Sequence, residues 1–347
     1  MNKSMIKKEN NLEIIRLLLA VQVMVVHVFH HIDNTYLHFL EMVPGVPAFF
    51  FLSGFLIYAS YEKSSSLYSY MKNRFLRLFP ALLFVTVFSS ILIYFFRINN
   101  GLYDNDFIPL WTIAQFTLGQ AYNPHQLRYF GVGVFNGSLW TITVEILFYI
   151  SVPLIAFLSK KVKGTLYILG VLSFLIYAFG PDYLGFQFAM GKSLYDFLSI
   201  TPIVWGWMFI LGIITYKKWY LLEKYIKHFW LSLVPIAVFA FVGGEGVLFE
   251  NQGNRLGVIY FMFYVAFIIY FAFSIKPMPL KFDLSYSLYI WHMPIVNFLL
   301  VMNLSSVYYV MAVTLVISVF SWFYIEKPSL KLKRSGLLRS IHNQGSV

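Results

Sequence analysis

The sequence contains no cysteine, which excludes a disulfide framework and any catalytic thiol. It also has no Walker loop, no GxGxxG or GxSxG motif and no HExxH spacing, so neither a phosphate-cradling loop, a serine nucleophile elbow nor a metal site is predicted. Charged residues are scarce, at 12% of the chain. A soluble domain carries about 25%, so an ordinary water-soluble enzyme is not expected.

Apolar residues are what the chain has in abundance. They make up 59% of the 347 residues, and the mean hydropathy is +0.70. In lipid, a helix satisfies its own backbone polar groups, so this composition predicts an all-α polytopic membrane protein. About ten apolar segments are predicted to be transmembrane helices: 12–31, 44–60, 78–97, 138–158, 164–181, 196–216, 229–243, 256–275, 284–302 and 305–325.

The formal net charge of +11 could suggest nucleic-acid binding, but its distribution along the chain favours another explanation. Most of the 26 Lys and Arg residues fall in alternate connections between the apolar segments. By the positive-inside rule, both termini are then cytoplasmic. We expect a cytoplasmic segment at 1–11, a single transmembrane domain at 12–326 and a basic cytoplasmic tail at 327–347.

The longest connection, 98–137, falls on the predicted outer side. It is aromatic and weakly charged, and it contains the glycine-rich run GVGVFNG. We expect it to lie on the outer surface as a lid or substrate-binding cap, or simply to pack at the interface through Trp and Tyr.

The first apolar segment carries three ionisable residues, Glu13, Arg16 and His27. At about 100° per residue, Arg16 and His27 share one helix stripe, roughly 16 Å apart along the axis. Such groups are costly in a membrane and usually face a cavity or a partner. The alternative is a snorkelling Arg16 paired with Glu13, with His27 near the outer interface.

Two other segments place charge at the membrane. Arg74 and Arg77 are one helical turn apart at the predicted cytoplasmic edge, where they would bind lipid headgroups or a phosphate-bearing ligand. Glu145 lies inside the segment that begins SLWTITVEILFY, which has no basic residue able to neutralise it. Its partner is therefore expected from another helix, with Arg16 or His27 as candidates.

Two further motifs carry small or polar residues. SYSLYIWHMP puts Ser285, Tyr289 and His292 on one helix face, with His292 near mid-membrane as either a functional group or a structural hydrogen-bond donor. FFFLSGFLI contains Ser53 and Gly54, for which close helix packing is the favoured interpretation.

Together these groups suggest acyl transfer. An imidazole can take a proton from a hydroxyl that attacks an acyl carbon, a carboxylate such as Glu145 could orient it, and the arginines could hold a coenzyme A thioester. The first alternative is a proton-coupled secondary transporter, although no internal repeat is visible. The second is a non-catalytic component of glycan assembly.

In order along the chain, six motifs resemble the acyltransferase-3 family of integral membrane O-acyltransferases. They are Arg16 with ten residues before His27, FFFLSGFLI at 49–57, RFLR followed by Pro80, SLWTITVEILFY at 138–149, SYSLYIWHMP at 285–294 and IEKP at 325–328. The resemblance covers about residues 11–330.

This resemblance implies that an acyl group, commonly acetyl, passes from cytoplasmic acyl-CoA to a hydroxyl of an envelope polysaccharide or its lipid-linked precursor, across a bacterial cytoplasmic membrane. Acyl-CoA is then a co-substrate, and no tightly bound cofactor is expected. By motif, His27 is the catalytic histidine, with Glu145 expected beside it in catalysis. Arg16, Arg74 and Arg77 are expected to bind acyl-CoA. Structural or substrate-positioning roles are expected for Glu13, Ser53, Trp140, Ser285, Tyr289 and His292.

The sequence departs from the family pattern in places. Glu13 stands where many members have Asp, and PGVPAF stands where many have VDIF, which removes an acid and suggests a different acceptor subgroup. No appended esterase-like domain is expected, so the acceptor step would occur in the membrane domain or with a partner.

Overall fold

The computed structural model describes residues 9–189 and 192–332, and helices dominate this part of the chain. The α-helices are α1 Leu12–Asp33, α2 His38–Glu41, α3 Gly45–Lys63, α4 Leu67–Asn99, α5 Phe107–Phe116, α6 Trp140–Lys161, α7 Thr165–Leu184, α8 Leu194–Ser199, α9 Pro202–Lys217, α10 Trp219–Leu222, α11 Leu233–Val242, α12 Gly246–Phe249, α13 Val258–Phe273, α14 Ser285–Val301 and α15 Val307–Ser321. Within the described residues, the strands β1 Gln187–Ala189 and β2 Lys192–Ser193 form one antiparallel pair. The all-α prediction is confirmed.

Shorter helical pieces complete the described chain. They are 3-10 turns at His125–Leu127, Gly137–Leu139 and Ile226–Ser232, and a π-helix at Trp322–Glu326 that follows α15.

Seven segments of the described chain are long and apolar enough to cross a membrane, which identifies a multi-pass membrane protein. They are Leu12–Asp33, His38–Lys63, Leu67–Asn99, Gly137–Lys161, Thr165–Leu184, Leu194–Lys217 and Val307–Leu332. The other three predicted segments coincide with α11, α13 and α14, which are shorter than the roughly 20 residues that a straight span needs. The count of ten spans and the orientation stay predictions.

Two helices extend well beyond their predicted ends, by seven residues or more. At 33 residues, α4 is about 50 Å long, and it begins at Leu67 rather than at 78. The side chain of Ser66 starts it by accepting a hydrogen bond from the backbone N–H of Ser69 at 3.1 Å. Pro80 consequently lies inside the helix and not near its start. The last helix runs through the π-helix to Leu332, so only part of the predicted tail, 333–347, lies outside the described residues, as do residues 1–8.

The described residues form two compact units. The first contains residues up to 26, 35–63 and 144–285, and the second contains 27–34, 64–143 and those from 286 onward.

In the first unit, α3 and α9 are in backbone contact. A methyl group at Gly54 would lie 1.9 Å from the carbonyl oxygen of Phe209, and one at Gly212 would lie 2.1 Å from that of Phe51. Phe148 stacks on Phe209 with ring centroids 3.9 Å apart. Only glycine permits this approach, so the packing interpretation of Gly54 is confirmed.

The end of α13 in the same unit is held by Asn11, which is buried. Its amide nitrogen donates to the carbonyls of Phe271, Ile275 and Lys276, and its amide oxygen accepts from the N–H of Met278. The carbonyls beyond the last helical turn are thereby satisfied away from water.

In the second unit, the segment 98–137 is packed rather than loose. Arg97 is buried and donates to the side chain of Asn105 at 2.9 Å and the carbonyl of Asp104 at 2.8 Å, with its guanidinium over the ring of Phe107. A core cluster forms around this segment from Ile93, Phe107, Trp111, Leu127, Phe130 and Phe135. Its role as a lid or cap stays a prediction.

We expect Gly54→Ala to lower the free energy of unfolding by about 1–3 kcal/mol, because the added methyl has no room against a backbone atom. Thermal unfolding of the purified protein in detergent measures this. Gly170→Ala in α7 is the matched control, since its methyl would meet nothing closer than a side-chain methyl of Ile210 at 3.5 Å. Equal stability of the two variants would contradict the close contact.

Candidate active site

Two histidines meet in the second unit. Nδ1 of His27 on α1 lies 2.9 Å from Nε2 of His292 on α14, and the ring centroids are 5.1 Å apart. His292 is completely buried, and its Nδ1 lies 3.1 Å from the backbone carbonyl of Leu288. The sequence predicted each histidine as a site residue, and the structure joins them by a hydrogen bond.

Tyr289 contacts His292. Its ring centroid is 5.9 Å from that of His292, and its hydroxyl is 2.6 Å from Oγ1 of Thr141. Both hydroxyls also lie within hydrogen-bonding distance of the carbonyl of Ser138. The predicted shared face of Tyr289 and His292 is confirmed. These hydrogen bonds also connect the start of α6 to α14 beside His292.

A second connection between the start of α6 and α14 depends on a proline. Pro294 has no N–H, so the carbonyl of Ile290 in α14 lacks its helical donor. The amide nitrogen of Asn136 donates to that carbonyl at 3.0 Å, and Oγ of Ser138 donates to the amide oxygen of Asn136 at 2.8 Å. The two motifs SLWTITVEILFY and SYSLYIWHMP are therefore connected through a backbone group that proline leaves free.

Asn297 makes a third connection, between α14 and the loop before α6, which the sequence analysis did not predict. It is completely buried on α14. Its amide nitrogen donates to the carbonyls of Val134, Phe135 and Met293, and its amide oxygen accepts from the N–H of Val132. The sequence signal that could have identified Asn297 is an amide side chain inside an apolar helix, where every polar group needs hydrogen-bond partners.

Glycine lets the loop come this close to α14. Gly131 has φ +57°, and a methyl group there would lie 2.1 Å from the amide oxygen of Asn297. Gly133 has φ +87°. Both conformations suit glycine, which explains the run GVGVFNG.

In the first unit, Arg16 has a partner that the sequence analysis did not name. Its Nη1 lies 3.4 Å from Oδ2 of Asp283, just before α14. Oδ1 of Asp283 accepts from both Oγ and the N–H of Ser285, at 2.5 and 3.1 Å. Glu13 is exposed, and the alternative pairing of Arg16 with Glu13 is not the one present. The sequence signal that could have identified Asp283 is an acidic residue two positions before the start of α14.

Ser285 therefore bonds to Asp283, whereas Tyr289 and His292 contact each other in the second unit. The prediction that the three share one face holds for the helix positions.

Glu145 is half-buried, and the hydroxyl of Tyr149 donates to its Oε1 at 2.5 Å. Both residues lie on α6, one turn apart. A hydroxyl of the same helix thus bonds to one oxygen of Glu145, and Arg16, one expected partner, pairs with Asp283 instead. His27 as a partner of Glu145 stays a prediction. A catalytic part for Glu145 stays a prediction.

The remaining predicted residues lie on separate helices. Arg74 and Arg77 are partly buried on α4, whereas the neighbouring Lys72 is exposed. Trp140 is half-buried as the first residue of α6, and Ser53 is half-buried on α3.

Comparison with known proteins identifies the family of this chain. A family model described as an acyltransferase domain matches residues 9–326, almost all of the described chain. The chain belongs to the acyltransferase-3 family. As a member, it is a multi-pass membrane acyltransferase, which confirms the resemblance of the six motifs.

Two relatives of this acyltransferase are informative. The chain is 29% identical to Nodulation protein 10 of Rhizobium leguminosarum bv. viciae over an alignment of 359 residues, covering 96% of each protein. It is 34% identical to an O-acetyl transferase of Shigella phage Sf6 over 157 residues, which is 41% of this chain and 44% of the relative. No solved structure matches it significantly.

We expect Asn297→Ala to lower the free energy of unfolding by about 1–3 kcal/mol, because it leaves buried loop groups without partners. Hydrogen exchange at the N–H of Val132 should become faster as well. Asn100→Ala is the control, since Asn100 is exposed and makes one hydrogen bond to the carbonyl of Phe96. Unchanged exchange at Val132 in the Asn297 variant would show that the loop is held by other contacts.

Proposed function

We propose that this acyltransferase moves an acetyl group from cytoplasmic acetyl-CoA to a hydroxyl of a cell-surface polysaccharide or its lipid-linked precursor. The observation that carries the proposal is an imidazole pair, the half-buried His27 and the fully buried His292, inside an acyltransferase domain. The similarity to a protein named O-acetyl transferase supports acetyl as the group. The family resemblance supports acyl-CoA as the donor, a glycan as the acceptor and the bacterial cytoplasmic membrane as the location.

In the proposed reaction, His27 is the general base. It takes the proton of the acceptor hydroxyl as the hydroxyl oxygen attacks the carbonyl carbon of the thioester. The tetrahedral intermediate then collapses, the carbon–sulfur bond breaks, and the imidazolium of His27 returns its proton to the departing thiolate. One ester and one free thiol form, and no proton is gained or lost overall.

Arg74 and Arg77 are the proposed anchor for the phosphates of the donor. Each guanidinium offers a planar set of N–H donors that suits a phosphate group. They lie in the early turns of α4, which extend beyond the predicted apolar segment that starts at 78. The basic residues around them support a cytoplasmic position by the positive-inside rule.

Arg16 and Glu145 each have a partner in the structure, which limits the roles that we propose for them. The charge of Arg16 is already matched by Asp283, so contact with a donor phosphate would require that ion pair to open. Glu145 accepts from Tyr149 through Oε1, and we propose that its carboxylate has a supporting part in catalysis.

We expect His27→Gln to reduce acetyl transfer by about 10²–10⁴-fold, the usual contribution of a general base. Radiolabelled acetyl-CoA supplied to inverted membrane vesicles measures incorporation into glycan, and mass spectrometry of surface glycans measures the product in cells. His38→Gln is the control, because His38 is exposed and its ion-pair partner is Glu41. Normal transfer by His27→Gln at normal protein level would remove His27 from the mechanism. Solute movement without acetyl transfer by the wild-type protein would favour the transporter alternative.

We expect Arg74→Ala and Arg77→Ala to raise the KM for acetyl-CoA by about 10- to 100-fold, because each removes charge-assisted hydrogen bonds. The same vesicle assay at varied acetyl-CoA concentration measures this. Lys72→Ala is the control, since it removes an exposed charge from the same helix. An unchanged KM in both arginine variants would assign them to lipid headgroups instead.

A further inference from the structure

We infer that His292 is a positioning residue that fixes the tautomer of His27 and so makes Nε2 of His27 the basic nitrogen. This inference rests on the proposed function, and it gives a specific role to a residue for which the family resemblance implies only a structural or substrate-positioning part.

The argument starts at the backbone carbonyl of Leu288. A carbonyl oxygen only accepts hydrogen bonds, so Nδ1 of His292, 3.1 Å away, must carry a proton. A neutral imidazole carries one proton, so Nε2 of neutral His292 carries none.

The second step passes from His292 to His27. Nε2 of His292 lies 2.9 Å from Nδ1 of His27, and two unprotonated nitrogens at that distance would repel each other. Nδ1 of His27 must therefore be the donor. The neutral ring of His27 then has its lone pair on Nε2, which accepts no hydrogen bond from the described residues.

The surroundings hold this arrangement in place. His292 is fully buried, so bulk water does not compete for its ring nitrogens. Its helix is fastened at the carbonyl of Ile290 by Asn136 and at Asn297 by the loop 132–135. Reversing the tautomers would leave the buried Nδ1 of His292 without a proton to donate to the carbonyl of Leu288, which is costly away from water.

His292 thus has the orienting role of the aspartate in a Ser-His-Asp triad, but the neutral imidazole of His292 carries no negative charge. It orients the base and adds no ion pair to hold the imidazolium. A base oriented in this way returns its proton readily to the departing thiolate, as the proposed reaction requires.

Kinetics of two variants test the inference. His292→Leu removes the acceptor, and we expect kcat for acetyl transfer in inverted vesicles to fall about 10- to 100-fold with an unchanged KM for acetyl-CoA. His292→Gln keeps an amide oxygen that can accept from Nδ1 of His27, and it should restore most of kcat. His31→Gln is the control, because His31 contacts the ring of His27, at 6.2 Å between centroids, without a hydrogen bond to it. Equal kcat for the leucine variant and the wild type would overturn the inference.

A second measurement does not depend on activity. Nitrogen-15 NMR of histidine-labelled full-length protein reports which ring nitrogen carries the proton, and the signals of His27 are those lost in His27→Gln. We expect a protonated Nδ1 in the wild type and a shift toward a protonated Nε2 in His292→Leu. A wild-type His27 protonated on Nε2 would overturn the inference even if the enzyme is active. The expected tautomer in a wild-type protein that transfers no acetyl group would instead overturn the proposed function.

Discussion

A backbone carbonyl without a helical donor determines much of the candidate site. Pro294 withholds the N–H that Ile290 would need, and in an apolar helix bundle an unpaired carbonyl is costly. Asn136 supplies the missing donor, so the chain just before α6 must lie against α14. Ser138, Thr141 and Tyr289 then complete hydrogen bonds on the same stretch. The ring of His292, two residues before the proline, is thereby held where His27 can reach it.

The helices of this acyltransferase were largely predictable, because apolar composition alone fixes them in a membrane protein. All ten predicted segments contain a helix, and the small residue at Gly54 correctly indicated a close helix contact. The early turns of α4 and the turns after Glu326 were not predicted. Those turns are polar and basic, and a rule based on apolar runs cannot detect helix that continues past the hydrocarbon region.

The site was predictable as a list of residues but not as a set of contacts. His27 and His292 are more than two hundred residues apart in sequence, and only tertiary packing makes them neighbours. Charges were expected to pair with charges, yet Glu145 is satisfied by the hydroxyl of Tyr149. Arg16 pairs with an acid from a loop that carried no helical periodicity. A hydroxyl or a loop carboxylate satisfies a polar group as fully as a facing helix does, and sequence patterns give little information about either.

The segment 98–137 is anchored at two places. Near its beginning, Arg97 donates hydrogen bonds to Asp104 and Asn105. Near its end, Asn297 donates to the carbonyls of Val134 and Phe135 and accepts from the N–H of Val132. The two anchoring side chains, Arg97 and Asn297, are themselves buried. Phe107, Trp111 and Phe130 pack into the core cluster between these two anchors. Loss of either anchoring side chain would therefore release one end of the segment while the other end stays attached.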